Sequence, residues 1–328
     1  MRIWAVGRNH KVEYRGGKIV VDGEEYDARS VEAIYISPAT VISNRDLARI
    51  SGRTIVFMFG RYGLRSVMVP MSVSKGLWNG KVAIMQAKAW LEKRIEIARE
   101  MERAIIANIH HIFKNTLRKY VDKETREKFY ETIRRIKQEI ENTEDTQRLM
   151  LLEAKAWKTL FGIFRKIMPT WPKRIRRPPG DPANAIYSYL ASLLYADCLL
   201  ATINAGLDPS ISFIHEPEKH RFSLPLDIKD IYAPFLVANL SFSIYKRIKN
   251  QTEDYFRKVR IRGRRGVYLN CYGRRLVIKA YTDYLSKEAT FLERKMSVRS
   301  HIYWECRRLR EHFLGESEYV AFRLGEKR

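Results

Sequence analysis

KVAIMQAKAWLEKRIEIAREMERAI, residues 81–105, is where the chain changes its period. Val82, Ile84, Ala87, Trp90, Leu91, Ile95, Ala98, Met101 and Ile105 recur at steps of three and four, the spacing of one buried helix face. Upstream the pattern is different. KIVV (18–21), VEAIYIS (31–37) and TIVFMF (54–59) are short β-branched runs, separated by Gly16-Gly17, Asp22-Gly23 and Gly52. Such runs with turn residues between them predict strands. The pattern therefore predicts an α+β protein: a small β-sheet domain over 1–75, a linker over 76–84 marked by Pro70 and SVSKGLWNG, and a larger all-helical domain over 85–328. Further helices are expected over 124–140 and 145–168. The face of the second carries Leu149, Leu152, Glu153, Ala156, Trp157 and Leu160.

The 328 residues carry 61 Lys and Arg against 37 Asp and Glu, a net charge of +24. That excess favours a polyanionic partner, nucleic acid or an anionic membrane surface. No run approaches 18 uncharged apolar residues and MRIWAVGRNH lacks an apolar core, so neither a membrane span nor a signal peptide is expected. Cys198, Cys271 and Cys306 are odd in number and widely spaced. They fit a reducing cytoplasm better than a disulfide scaffold or a thiolate zinc site.

PTWPKRIRRPPGDP (169–182) reads as a loop with four cations, Lys173, Arg174, Arg176 and Arg177, against the single acid Asp181. Asp181-Pro182 has the form of an N-cap followed by proline in the first turn, opening a helix that runs to Ala205 and stops at Gly206. Asn184 on its first turn has two readings, fixing the basic loop or touching a phosphate.

HEPEKHRFSLPLDIKD (215–230) brings an imidazole and two aspartates within sixteen residues. Asp227 and Asp230, three apart, share a face if the segment is helical from its start. Pro234 requires that helix to be irregular. His215 ends an apolar run. Carboxylate oxygens with one neutral imidazole suit Mn²⁺ better than Mg²⁺, and such an ion would offset charge on a phosphoryl oxygen. The competing structural reading has the aspartates capping a helix and the histidine meeting a backbone carbonyl. A third carboxylate is needed, and Glu153, on or near an apolar stripe, is the best candidate; a salt bridge to an arginine would satisfy it equally.

RKVRIRGRRGVYLNCYGRRLVIK (257–279) holds nine Lys or Arg and no acid. Arg262, Arg264, Arg265, Arg274 and Arg275 are candidate phosphate contacts, and Tyr268 and Tyr272 candidate stacking platforms for an unpaired base.

Four segments together resemble the CRISPR-associated integrase family, the larger of two proteins shared by most CRISPR adaptation systems. LLEAKAWKTLF (151–161) is similar to its glutamate-bearing helix. PPGDPANAIYSYLASLLYADCLLATINAGLDPSISFIHEP (178–217) is similar to its proline–asparagine helix leading to a metal-binding histidine. FSLPLDIKDIYAPFL (222–236) resembles its serine–leucine and acid segment. GVYLNCYGRRLVIKAYTDYL (266–285) resembles its C-terminal basic region. One departure stands out: Lys219, His220 and Arg221 precede the serine–leucine pair, where the family commonly has glycine–arginine. The cation is kept and the glycine is not.

The resemblance implies that Glu153, His215 and Asp230 ligate Mg²⁺ or Mn²⁺, with Asp227 as a supporting acid and Arg221 among the DNA contacts. It further implies a homodimer joined through the β domains, a complex with the smaller CRISPR adaptation protein, and no membrane role. The expected chemistry is attack of a DNA 3′-hydroxyl on a phosphodiester at a repeat boundary. The alternatives are a plain metal-dependent DNA nuclease and a non-catalytic nucleic-acid-binding protein.

Overall fold

The computed structural model describes residues 1–328 except 7–8, 61–62, 71–78, 176–177, 219–221, 262 and 327–328. Arg176, Arg177, Arg221 and Arg262, and the Lys219-His220 departure, therefore lie outside the described residues.

The N-terminal region holds strands β1 (Arg2–Ala5), β2 (Lys11–Arg15), β3 (Lys18–Val21), β4 (Glu24–Asp27), β5 (Ala33–Ile36), β6 (Val41–Ile42), β7 (Ile55–Gly60) and β8 (Gly63–Met68). They form two sheets, ordered β1-β5-β7-β8 and β4-β3-β2-β6. The glycine signals work as expected. Gly16 and Gly17 have φ of 53° and 84°, and Asp22 and Gly23 have 51° and 94°. Two-residue hairpin loops of type I′ take positive φ at both positions and so match strand twist, and these loops close the β2–β3 and β3–β4 pairs.

The sequence pattern conceals one element. Helix α1 (Asn44–Ser51) lies between β6 and β7, its start capped by Ser43 Oγ, which accepts from the Asp46 amide at 3.0 Å. Most of its residues are polar, so the β-branched runs around it dominate the pattern.

Alternation along β5 and β7 fixes what each face meets. Ile34, Ile36 and Val56 pack between the sheets with Ile3, Val12, Ile19 and Ile50. Ala33, Tyr35, Ile55, Phe57 and Phe59 face the other way and join the core of the helical region. Both faces are thus buried, and the two regions share a core.

The second region contains α2 (Gly80–Ile112), α3 (Lys123–Glu141), α4 (Thr146–Ile167), α5 (Pro182–Asn204), α6 (Leu224–Ala233), α7 (Leu240–Ile248), the short α8 (Thr252–Tyr255), α9 (Cys271–Leu285) and α10 (Val298–Phe313). It is mostly helical but not all-helical: β9 (Phe256–Ile261) pairs with β10 (Arg264–Leu269), and β11 (Glu288–Phe291) with β12 (Arg294–Ser297). Helix α2 starts at Gly80, inside the stretch expected to be a linker. It kinks at Lys93, whose φ and ψ of −130° and 15° are non-helical.

The stripe expected on α2 is corrected before that kink. Ile84 and Leu91 are 70% and 77% exposed, while Val82, Gln86 and Ala89 are buried. A glutamine on the buried face defeats a reading by hydrophobicity. The expected irregularity at Pro234 is real: a π-helical stretch, Pro234–Asn239, carries α6 into α7.

Helix α5 is long and apolar enough to cross a bilayer by composition, at mean hydropathy 1.5. It is the central core helix, with Ile186, Leu190, Leu193, Leu194 and Leu200 fully buried. Its one acid, Asp197, pairs with Arg2 of β1 at 2.6 Å and accepts hydrogen bonds from Tyr35 and Tyr281, each at 2.8 Å. The cysteines are all free.

Candidate metal centre and nucleic-acid surface

His215 is positioned by a loop whose backbone is organised around one carboxylate. Asp227, fully buried on the first turn of α6, accepts backbone N–H bonds from Phe213 (2.6 Å), Ile214 (3.0 Å) and His215 (3.1 Å). The same carboxylate lies 2.8 Å from His215 Nδ1. A neutral imidazole that donates through Nδ1 presents the Nε2 lone pair outward, the arrangement that metal-ligating histidines use. Asp227 is thereby spent on the loop and the ring. The expectation that Asp227 and Asp230 both face a cation gives way: only Asp230 is left to do so.

Helix α2 holds the loop from behind. Gln86 donates through Nε2 to the carbonyls of Asp208 and Ile211 and accepts from the Asp208 amide, each at 2.9 Å. Arg94 donates to the Phe213 carbonyl at 3.0 Å and to Glu216 at 2.7 Å. Helix α10 fixes α6 through buried Glu305, which accepts from Tyr232, Tyr319 and Arg308.

Glu153 lies on α4, whose N-cap is Asp145. Trp157, one turn on, donates Nε1–H to its carboxylate at 2.8 Å. Burial and the charge of Asp230 raise its pKa to about 7, against the opposing pull of Trp157, His215 and Lys229. Burial disfavours the charged ring of His215, but its bond to Asp227 and the charges of Asp227, Asp230 and Glu153 outweigh that and raise its pKa. The three expected ligands therefore act on one another electrostatically.

Among the described residues, no three His, Cys, Asp or Glu side chains form a ready-made ligand cage. Glu153 and Asp230 are each engaged by one exchangeable partner, Trp157 at 2.8 Å and Lys229 at 2.9 Å. Two carboxylates and one imidazole held through Nδ1 fit a hard divalent cation in donor chemistry.

A fourth acid is not among the residues that spacing singles out. Glu102 of α2 is fully buried, and neither carboxylate oxygen has a hydrogen-bond partner among the described residues. Burial first, then the charges of Glu153, Asp230 and Asp227, push its pKa well up. The available signal is its place on the stripe Ala98–Glu102–Ile106, whose three members are fully buried.

The basic segments form one surface. The Val267 amide of β10 donates to the Pro179 carbonyl at 2.8 Å, joining the β9–β10 hairpin to the 169–182 loop. Gly266 permits this approach, since a Cβ there would stand 2.8 Å from Pro178. Arg264, Arg265, Arg275 and Lys173 are exposed. Arg265 stands directly across from Arg260 in the hairpin register, a like-charge pairing that destabilises a bare hairpin and suits one carrying a polyanion.

Other residues of the expected surface are committed elsewhere. Asn184 is 3% exposed. Its amide makes all four bonds it can: it accepts from Arg174 and from the Ile175 amide, each at 3.0 Å, and donates to the Lys173 carbonyl (2.8 Å) and to Asp181 (2.6 Å). It fixes the loop and is not free for phosphate. Arg174 is half-buried, bonded to Asn184 and Ser188 and stacked 4.3 Å from the Tyr187 ring centre. Arg274 is also half-buried, donating to the Leu269 carbonyl at 3.5 Å. Tyr268 is 7% exposed, turned inward by strand alternation, so only Tyr272, 64% exposed, remains as a stacking platform.

The sequence profile of the family described as CRISPR associated protein Cas1 matches residues 6–283. The chain belongs to this family. Among curated relatives, a protein named CRISPR-associated endonuclease Cas1 3 from Thermodesulfovibrio yellowstonii is 28% identical, over 98% of this chain and 99% of its own. A CRISPR-associated endonuclease Cas1 from Clostridium perfringens is 30% identical over 88% and 87%. A solved Cas1 protein from Thermotoga maritima superposes with a TM-score of 0.79 at 24% identity, covering both chains fully. A casposase bound to integration product gives 0.81 at 19%, over 100% of this chain and 94% of that one. At these identities the structural matches establish the Cas1 fold.

Proposed function

We propose that this Cas1-family protein is a metal-dependent DNA integrase and endonuclease of CRISPR spacer acquisition. It would join a DNA 3′-hydroxyl to a phosphodiester at the repeat boundary. The observation that supports this reading is the Asp227–His215 pair, which holds Nδ1 on the carboxylate, together with the electrostatic influence of Asp230 and Glu153 on the ring. The curated relatives are named endonucleases, and the casposase match is a complex with an integration product.

Glu153, His215 and Asp230 would hold Mn²⁺ or Mg²⁺. When bound, the cation supplies charge neutralisation at the reacting phosphate and lowers the pKa of a coordinated hydroxyl. The chain's own residues do the positioning. Asp227 holds the imidazole in one tautomer, Trp157 orients the Glu153 carboxylate, and Lys229 keeps Asp230 paired. The exposed arginines of the hairpin hold the duplex. No side-chain nucleophile is needed, because the DNA hydroxyl is the attacking group.

The protein would act in the cytoplasm as a homodimer joined through its β domains, beside the smaller adaptation protein. A Cas6-RT-Cas1–Cas2 complex is among the structures sharing the fold, with a TM-score of 0.80 at 17% identity.

The test is a strand-transfer assay with a labelled 3′-hydroxyl end, a repeat-containing plasmid and Mn²⁺, with the smaller protein present. Glu153→Ala, His215→Ala and Asp230→Ala should abolish joining while duplex binding persists. Joining by all three variants would remove the site. Nicking without joined product would leave a nuclease, and no product in any metal a binding protein.

A further inference from the structure

We infer that Glu102 is a third carboxylate of the cation centre, contributed by α2 from its buried side and taking a hard divalent cation together with Glu153 and Asp230. This rests on the metal-dependent reading above and adds a residue to it.

Burial of Glu102 carries an unbalanced cost. A buried carboxyl without a hydrogen bond is destabilising. Buried acids are therefore ordinarily paired with a cation or a donor. Glu102 is 0% exposed and has neither among the described residues. Instead, the groups acting on it are three more acids, Glu153, Asp230 and Asp227. Positive charge among these carboxylates would offset that cost.

The course of α2 carries Glu102 past the segments bearing His215 and Asp230. Arg94 anchors the helix to the histidine loop at the Phe213 carbonyl, 3.0 Å away. Asn108 anchors it to α6 by donating to the Ile231 carbonyl at 2.8 Å, one residue past Asp230. Glu102 lies between these anchors, roughly 12 Å along the axis from Arg94 and roughly 9 Å from Asn108 at 1.5 Å per residue. It thus sits on the helix that both ligand-bearing segments are tied to. A hydrocarbon side chain would fill the same volume without penalty, and none is present.

The test is Mn²⁺ binding to the full chain, measured by loss of the free-ion electron paramagnetic resonance signal, with thermal melting in EDTA alongside. Glu102→Gln should weaken Mn²⁺ binding at least about tenfold and leave the metal-free melting temperature equal to or above that of the parent. A purely structural acid predicts the opposite pair, unchanged affinity and a lower melting temperature, and that result would overturn the inference. If Glu102→Gln does not fold, Glu102→Asp takes its place: weakened Mn²⁺ binding supports the role, and parental affinity removes it. Parent protein that binds no Mn²⁺ would sink the metal reading and this inference with it. Parental binding matched by both variants would sink the inference alone.

Discussion

His215 Nδ1 lies 2.8 Å from Asp227 Oδ1, and the other oxygen of that carboxylate binds the Phe213 and Ile214 amides. One buried acid thus sets both the tautomer of a candidate ligand and the backbone that carries it.

Asp227→Asn should therefore be costly twice over. The amide replaces one acceptor oxygen with a donor facing N–H groups, a loss on the order of 3 kcal/mol. It also leaves Nδ1 without its carboxylate. Urea unfolding should show the destabilisation and strand transfer a large loss, whereas His215→Ala should lose transfer with far less effect on stability.

The pH dependence of the metal-free protein follows from Glu153. Its folded pKa, about 7, lies above the ordinary carboxylate value. The folded state then holds more protons between about pH 4.5 and 7, so this contribution to stability is full below that window and is lost as pH rises through it. The raised pKa of His215 acts in the same direction. Melting temperature in EDTA should fall over this range, with a shallower fall in Glu153→Gln. Mn²⁺ affinity should rise over the same range, since binding displaces the proton.

Arg2→Ala should cost about 3–5 kcal/mol by leaving Asp197 buried without its cation. Both residues are almost fully buried, joining β1 to α5 across the two regions. Urea unfolding monitored by the tryptophans reads this out. A near-neutral result would mean that Tyr35 and Tyr281 suffice to hold the aspartate.

Replacing Arg264 and Arg265 by alanine should weaken duplex binding and lower the salt slope by roughly 0.9 for each phosphate no longer neutralised. Asn184→Ala should lower stability through the freed loop, with a smaller change in salt slope. Fluorescence anisotropy across a salt series separates the two.

Local rules carried much of the architecture into the sequence. Positive-φ pairs at Gly16-Gly17 and Asp22-Gly23 set the hairpins, Asp181-Pro182 set the start of α5, and the change of period near residue 81 divided strands from helices. These depend on neighbours within a few residues, so the sequence alone determines them. The family of the chain was also legible, because the segments around Glu153, His215 and Asp230 carry its motifs.

Tertiary structure decided which polar groups are spent and which are free. Asp227 looks like a second cation-facing acid in sequence, yet its bonds go to the 213–215 backbone, and of the two readings open for Asn184 the bonds to the 173–175 segment decide for fixing the basic loop. Tyr268 turns inward by its place in β10. Glu102 shares a helix stripe with Ala98 and Ile106, but only the fold shows it fully buried and without a hydrogen-bond partner among the described residues. Burial and hydrogen-bond saturation depend on distant segments arriving together, so spacing along the chain does not contain them.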